Sequence, residues 1–140
     1  MCGFKEDLDV SFLVGLELEQ VAIGQYQVQF GFDQDTRISV ELFFRYTSAE
    51  GTVEWTQQPQ SNKAAAATLN LLGASVVTAT ITDPKTLELE FSNGDRLQLL
   101  DVSERYESLS ITRPGLNLYV SPATERECAE RLCVIFSRLC

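Results

Sequence analysis

Alternation of apolar and polar side chains with a period of two is the feature that most limits what this chain can become. In "YQVQFGF", Tyr26, Val28, Phe30 and Phe32 fall on one side, while Gln25, Gln27, Gln29 and Gly31 fall on the other. In "RISVELFFRY", Ile38, Val40, Leu42, Phe44 and Tyr46 oppose Arg37, Ser39, Glu41, Phe43 and Arg45. Such segments cannot sit still as helices. They bury one face only as strands of an antiparallel sheet with one dry side. The intervening "DQDT" has turn chemistry, so the two segments read as a hairpin pairing Phe30 with Val40 and Val28 with Leu42.

The same reasoning fixes a second hairpin in "LELEFSNGDRLQLLD", Leu87 to Asp101. A two-residue Asn93-Gly94 turn would set Phe91 opposite Arg96, mixing wet and dry faces. A three-residue loop, Ser92-Asn93-Gly94, with Gly94 left-handed and forming a bulge, restores the register. Leu89 then faces Leu97, Leu87 faces Leu99 and Lys85 faces Asp101, with Glu88, Glu90 and Gln98 on the opposite side.

The remaining segments extend the sheet. In "VSFLVGLELEQVAIG", Val10, Phe12, Val14, Leu16 and Leu18 share one parity and Val21 and Ile23 the other, which predicts a bulge near Glu19–Gln20. "TVEW", "VVTATIT", "YESLSI" and "LNLYV" read as further strands, the last two separated by the turn at Arg113–Gly115. "SNKAAAATLNLLG" is a short helix, capped by Ser61 or Asn62, ended by Gly73, and expected to pack Leu69 and Leu72 on the sheet. "SPATERECAERLCVIFSRL" reads as a C-terminal helix with Cys128, Leu132, Ile135 and Leu139 on one stripe. The expected fold is therefore α+β: a mainly antiparallel, curved or barrel-like sheet of about seven to nine strands, with one short central helix and a C-terminal helix.

Length and charge narrow the function. A chain of 140 residues makes one domain, residues 1–140. Its formal charge is −9. Residues 1–62 hold 3 basic and 10 acidic side chains, a net −7, whereas residues 63–120 hold 5 and 7, a net −2. Such a surface repels phosphate backbones, which excludes nucleic acid as the expected partner and favours a basic protein. "MCGFKEDLDV" is acidic where a signal peptide needs a basic start, and no apolar run reaches bilayer-spanning length. The expectation is a cytoplasmic protein without membrane contact. Cys2, Cys128, Cys133 and Cys140 have neither CxxC spacing nor a histidine nearby, so idle thiols are expected rather than disulfides or zinc.

The chain contains no histidine. That removes Ser-His-Asp and Cys-His catalysis and HExxH zinc sites together. No phosphate-cradling glycine motif occurs either, so the expectation is a non-enzyme without cofactor or metal. The pairs Glu17/Glu19 and Glu88/Glu90 have two readings, a shared proton or hard-cation site and the solvated face of a sheet; their alternation with leucine fits the second. Tyr106 and Ser108 share a strand face that Ser110 and Thr112 continue, a hydroxyl row beside Arg105 and Arg113.

From Leu69 onward the order of motifs resembles that of small, largely uncharacterised bacterial β-rich proteins. They show an L-x-x-L-G helix end, an L-x-L-x-F-x-[ND]-G hairpin and a Y-E-S/A strand. Leu69, Leu72, Gly73, Leu87, Leu89, Phe91, Asn93, Gly94, Tyr106, Glu107 and Ser108 occupy those positions. Some such proteins look like immunity proteins, which neutralise a toxin encoded beside them. With the acidic N-terminal half, this gives the first expectation, a non-enzymatic interaction protein that inhibits a basic partner, whose acidic half supplies Glu17, Glu19, Glu41 and Glu54 as expected contacts. The alternative is a small-ligand carrier whose curved sheet encloses a pocket lined by Phe30, Phe44, Tyr46, Tyr106 and Ser108. A free sheet edge or the C-terminal helix would be the surface through which copies pair.

Overall fold

The computed structural model describes residues 9–83, 85–100 and 109–120, the last five of these by backbone alone. Ten strands are present among the described residues: β1 (Leu18–Ile23), β2 (Val28–Phe32), β3 (Thr36–Val40), β4 (Phe44–Ser48), β5 (Gly51–Trp55), β6 (Val76–Asp83), β7 (Thr86–Phe91), β8 (Arg96–Leu100), β9 (Leu109–Arg113) and β10 (Leu116–Val120). One short helix, α1 (Asn62–Ala67), lies between β5 and β6 and runs into a 3-10 turn at Thr68–Leu71. The expected C-terminal helix, the four cysteines and the Lys85–Asp101 pairing lie outside the described residues.

The strands form two antiparallel sheets rather than one, in the orders β1-β2-β3-β9-β10 and β5-β4-β8-β7-β6. They are joined along one edge. Residues leading into β1 pair with those leading into β6 through Val76 N–H to Leu16 O (2.9 Å), Leu18 N–H to Ala74 O (2.9 Å) and Gly73 N–H to Leu18 O (2.9 Å). Between the sheets lies a single core, in which Phe30 of β2 meets Phe44 of β4 edge-on (5.5 Å, 79°) and Phe44 stacks on Trp55 of β5 (5.4 Å, 12°). Each such aromatic pair adds about 0.5–1.5 kcal/mol beyond the area it buries.

The expected single strand from Arg37 to Tyr46 is two strands. Glu41–Phe43 carry the chain around a corner from one sheet to the other. The alternation survives because inward stays inward through the bend: Ile38, Val40, Phe44 and Tyr46 are all buried, and only Leu42, at the corner, is half-buried. The first hairpin is two residues tighter than expected, with Phe30 opposite Ile38 and Val28 opposite Val40. A shift of two keeps each side chain on its face. The tightening rests on Gln34 and Asp35, both at positive φ (59° and 52°), and on a Thr36 N–H to Asp33 O bond of 3.4 Å.

The second hairpin forms as expected, Leu87 opposite Leu99 and Leu89 opposite Leu97, with Gly94 at φ 91°. Phe91 N–H donates to Asp95 O (2.8 Å) across the loop. The bulge near Glu19–Gln20 is present as a register break between Leu18 and Gln20. Two expectations fail. A 3-10 turn at Ser11–Leu13 replaces the first strand, so spacing by three buries Val10, Leu13 and Leu16 and leaves Val14 exposed. Along the helical segment Ala64, Ala65, Thr68 and Leu71 face inward, at the spacing of one helical face, while Leu69 and Leu72 stand exposed.

Candidate functional site

The two sheets present contrasting outer faces. On the second, side chains line up in rows across all five strands: Glu54, Arg45, Gln98, Glu88 and Thr80 in one, Thr52, Thr47, Arg96, Glu90 and Thr78 in the next. Nearly every polar group there is engaged by its neighbour. Arg45 bridges Glu54 (2.8 Å) and donates to Gln98 Oε1 (3.2 Å), and Gln98 donates to Glu88 (2.9 Å). Arg96 approaches Glu88 (3.8 Å) and Glu90 (3.9 Å), and Thr78 donates to Glu90 (3.2 Å). Glu88 and Glu90 thus belong to a solvated cross-strand ladder.

The first sheet is different. Its outer row runs Gln20, Gly31, Arg37, Thr112 across β1, β2, β3 and β9. Gly31 contributes no side chain, so the row is interrupted at its second position and a hollow of about 380 Å³ opens there. Glu19, Gln20, Asp35, Arg37 and Thr112 stand around it. Local structure explains each wall. Glu19 is the extra residue of the β1 bulge, Asp35 is the second left-handed residue of the β2–β3 turn, and Arg37 and Thr112 are opposite one another in the β3–β9 ladder. The turn is tied to β1 at its base: Asp33 accepts Glu17 N–H on Oδ1 (3.1 Å), and its own N–H donates to Glu17 O (3.0 Å). These bonds hold Glu17, Glu19, Asp33 and Asp35 at one end of the sheet. On the other side of the turn lies a second hollow of about 330 Å³, where the Arg113 guanidinium lies 4.7 Å from the Phe12 ring centroid. Thr36, 3% exposed, lines both, its hydroxyl donating to Gln34 O (3.3 Å).

Of the four glutamates expected to act together, only Glu19 lines the hollow. Glu17 is exposed beside it. Glu41 sits in the corner between β3 and β4, where its carbonyl accepts a hydrogen bond from Gln57 Nε2. Glu54 is on β5 of the other sheet, engaged with Arg45. Phe30 and Phe44 are fully buried against each other in the core. Tyr46 is 2% exposed, its hydroxyl donating to the Asp95 carboxylate at the tip of the second hairpin. Burial, then the bond to Asp95 and that group's charge, pushes the Tyr46 phenol well above its ordinary value of 10.0. Tyr106 and Ser108 lie outside the described residues; Thr112, which the sequence put on the same face, lines the hollow.

Sequence reasoning placed Thr112 in a hydroxyl row but gave Asp35 only a turn role and Arg37 none. One signal was in view: Gly31 is a gap in a polar face otherwise made of glutamines. Among the described residues, no group of three or more His, Cys, Asp or Glu side chains is placed to hold a metal ion. No helix among them is long and apolar enough to cross a membrane.

Fold and site together define an antiparallel two-sheet β protein with a polar hollow on one outer face. The chain belongs to a family of unknown function, DUF6188, whose model matches residues 10–126. No curated protein and no solved structure matches it.

Proposed function

We propose that this protein is a non-enzymatic, immunity-like binding protein that takes a basic partner protein, in the cytoplasm, on the outer face of its first sheet. The observation that carries the reading is the hollow at Gly31, where a concave surface coincides with the Glu19 and Asp35 carboxylates, next to a turn that Asp33 ties to Glu17. Glu19 and Asp35 make no ion pair among the described residues, whereas Glu54, Glu88 and Glu90 are engaged within their own sheet. A net charge of −9 attracts a basic protein over long range and speeds encounter. Shape at the hollow then selects among basic proteins, which charge alone does not do.

The test is capture from the native cell on three immobilised forms: wild type, Glu19→Gln/Asp35→Asn and Glu88→Gln/Glu90→Gln. The two variants lose the same charge. The reading expects one basic protein retained by wild type and by the second variant and lost from the first. Equal retention by all three forms, or a captured protein that is itself acidic, would refute it.

A further inference from the structure

We infer that the hollow at Gly31 seats one arginine side chain of the partner, and that Gly31 is the residue that sets this specificity; the inference rests on the reading just given and deepens it. Three observations point there. First, the charges that line the hollow are Glu19, Asp35 and Arg37, two negative and one positive, a net −1 that a single cationic side chain neutralises. Second, the walls offer acceptors on several sides: the two carboxylates, the Gln20 amide oxygen and the Thr112 hydroxyl. A planar guanidinium, with five N–H donors in a fixed fork, suits acceptors set apart around a hollow better than the compact ammonium of lysine, whose three donors leave one point. Third, the depth comes from a missing side chain and not from an unusual backbone. Gly31 is not among the positive-φ glycines, and a Cβ built on it meets Gln20 Cβ at 3.5 Å and Gln20 O at 3.7 Å, ordinary contacts. A Cβ is accommodated there, so the backbone does not demand glycine. What glycine supplies at this position is the absence of a side chain beside Gln20, whose Oε1 would lie 3.8 Å from a Cβ.

The geometry makes Gly31→Leu a plug that removes no charge. Capped tripeptides Gly-Arg-Gly, Gly-Lys-Gly and Gly-citrulline-Gly serve as probes, followed by two-dimensional amide NMR on the full chain. The arginine peptide is expected to move the amides of Gly31, Arg37 and Thr112 to saturation. Neutral citrulline, an isostere without the charge, should bind about tenfold more weakly. Gly31→Leu and Glu19→Gln/Asp35→Asn should each abolish the response, and Glu88→Gln/Glu90→Gln should keep it. The dispersed amide spectrum of each variant reports its fold, and the double variant keeps the test decisive should the leucine disturb β2. Shifts spread over Glu54, Glu88 and Glu90 and unchanged by Gly31→Leu would overturn the arginine seat while leaving a diffuse acidic contact surface standing. Arginine and citrulline peptides that bind equally would overturn it too. Failure of the broader reading has a different signature, a native partner whose capture ignores Glu19 and Asp35.

Discussion

Replacing Tyr46 by phenylalanine removes one oxygen from a 2% exposed side chain and leaves the ring packed. The lost group is the hydroxyl that donates to Asp95, a half-buried carboxylate that also accepts Asn93 Nδ2 (3.1 Å), while Asn93 reaches Asn70 O (3.4 Å). Tyr46 therefore clamps β4 to the tip of the β7–β8 hairpin, and through it to the end of the helical segment. A hydrogen bond to a charged acceptor contributes about 1.5–3 kcal/mol. Asp95 keeps Asn93, so the expected loss at neutral pH lies near the lower figure, about 1.5 kcal/mol. The pH dependence gives a sharper signature. The phenol titrates at a higher pH folded than unfolded, so between its ordinary value of 10.0 and its raised folded value the native state holds one more proton. Stability from this group is complete below about pH 10 and falls above it by about 1.4 kcal/mol per pH unit. The variant lacks that dependence. Urea unfolding followed by fluorescence of Trp55, the only tryptophan and 1% exposed, measures both forms. The stability gap should be about 1.5 kcal/mol at neutral pH and should nearly close by about pH 11. A gap that is absent at neutral pH, or constant across that range, would refute the clamp.

Three further outcomes follow from the packing. Leu71→Ala, at a fully buried position, should cost about 2–5 kcal/mol in urea unfolding, whereas Leu72→Ala, at a 46% exposed one, should change stability by less than about 0.5 kcal/mol. Gln34→Gly should raise the thermal midpoint, because relief of a left-handed non-glycine residue, about 1–2 kcal/mol, exceeds the added freedom of the unfolded chain, about 0.4–1 kcal/mol. Glu54→Gln breaks an exposed bridge to Arg45 and should cost less than about 1 kcal/mol, with capture of the basic partner unchanged.

What could be read from the residues, and what could not, divides along physical lines. Leu87 to Leu99 formed with the expected partners because dry-face matching and a left-handed Gly94 leave one register. The β1 bulge was legible because an inserted residue switches parity, and the switch from Leu18 to Val21 is visible in the sequence. The corner at Glu41–Phe43 was not, since a chain that bends around a core keeps its inward parity and writes the same alternation as a straight strand. Ser11–Leu13 was misread because 3-10 winding buries every third residue, Val10, Leu13 and Leu16, where alternation read as a strand; at Thr68–Leu71 the dry face is marked by Ala64, Ala65 and Thr68, small residues that do not stand out against Leu69 and Leu72. Within the candidate site, Glu19 and the gap at Gly31 were open to local reading. Arg37 and Thr112 join them only through the β3–β9 pairing, a contact between distant parts of the chain.

The most direct test of the functional account is the association rate of the captured basic partner at several ionic strengths, with the wild type and the two charge-matched variants. The account predicts that Glu19→Gln/Asp35→Asn slows association several-fold at low salt and flattens its salt dependence, while Glu88→Gln/Glu90→Gln follows the wild type. Rates lowered equally by both pairs would show that only total charge matters, and the hollow at Gly31 would have no part in recognition.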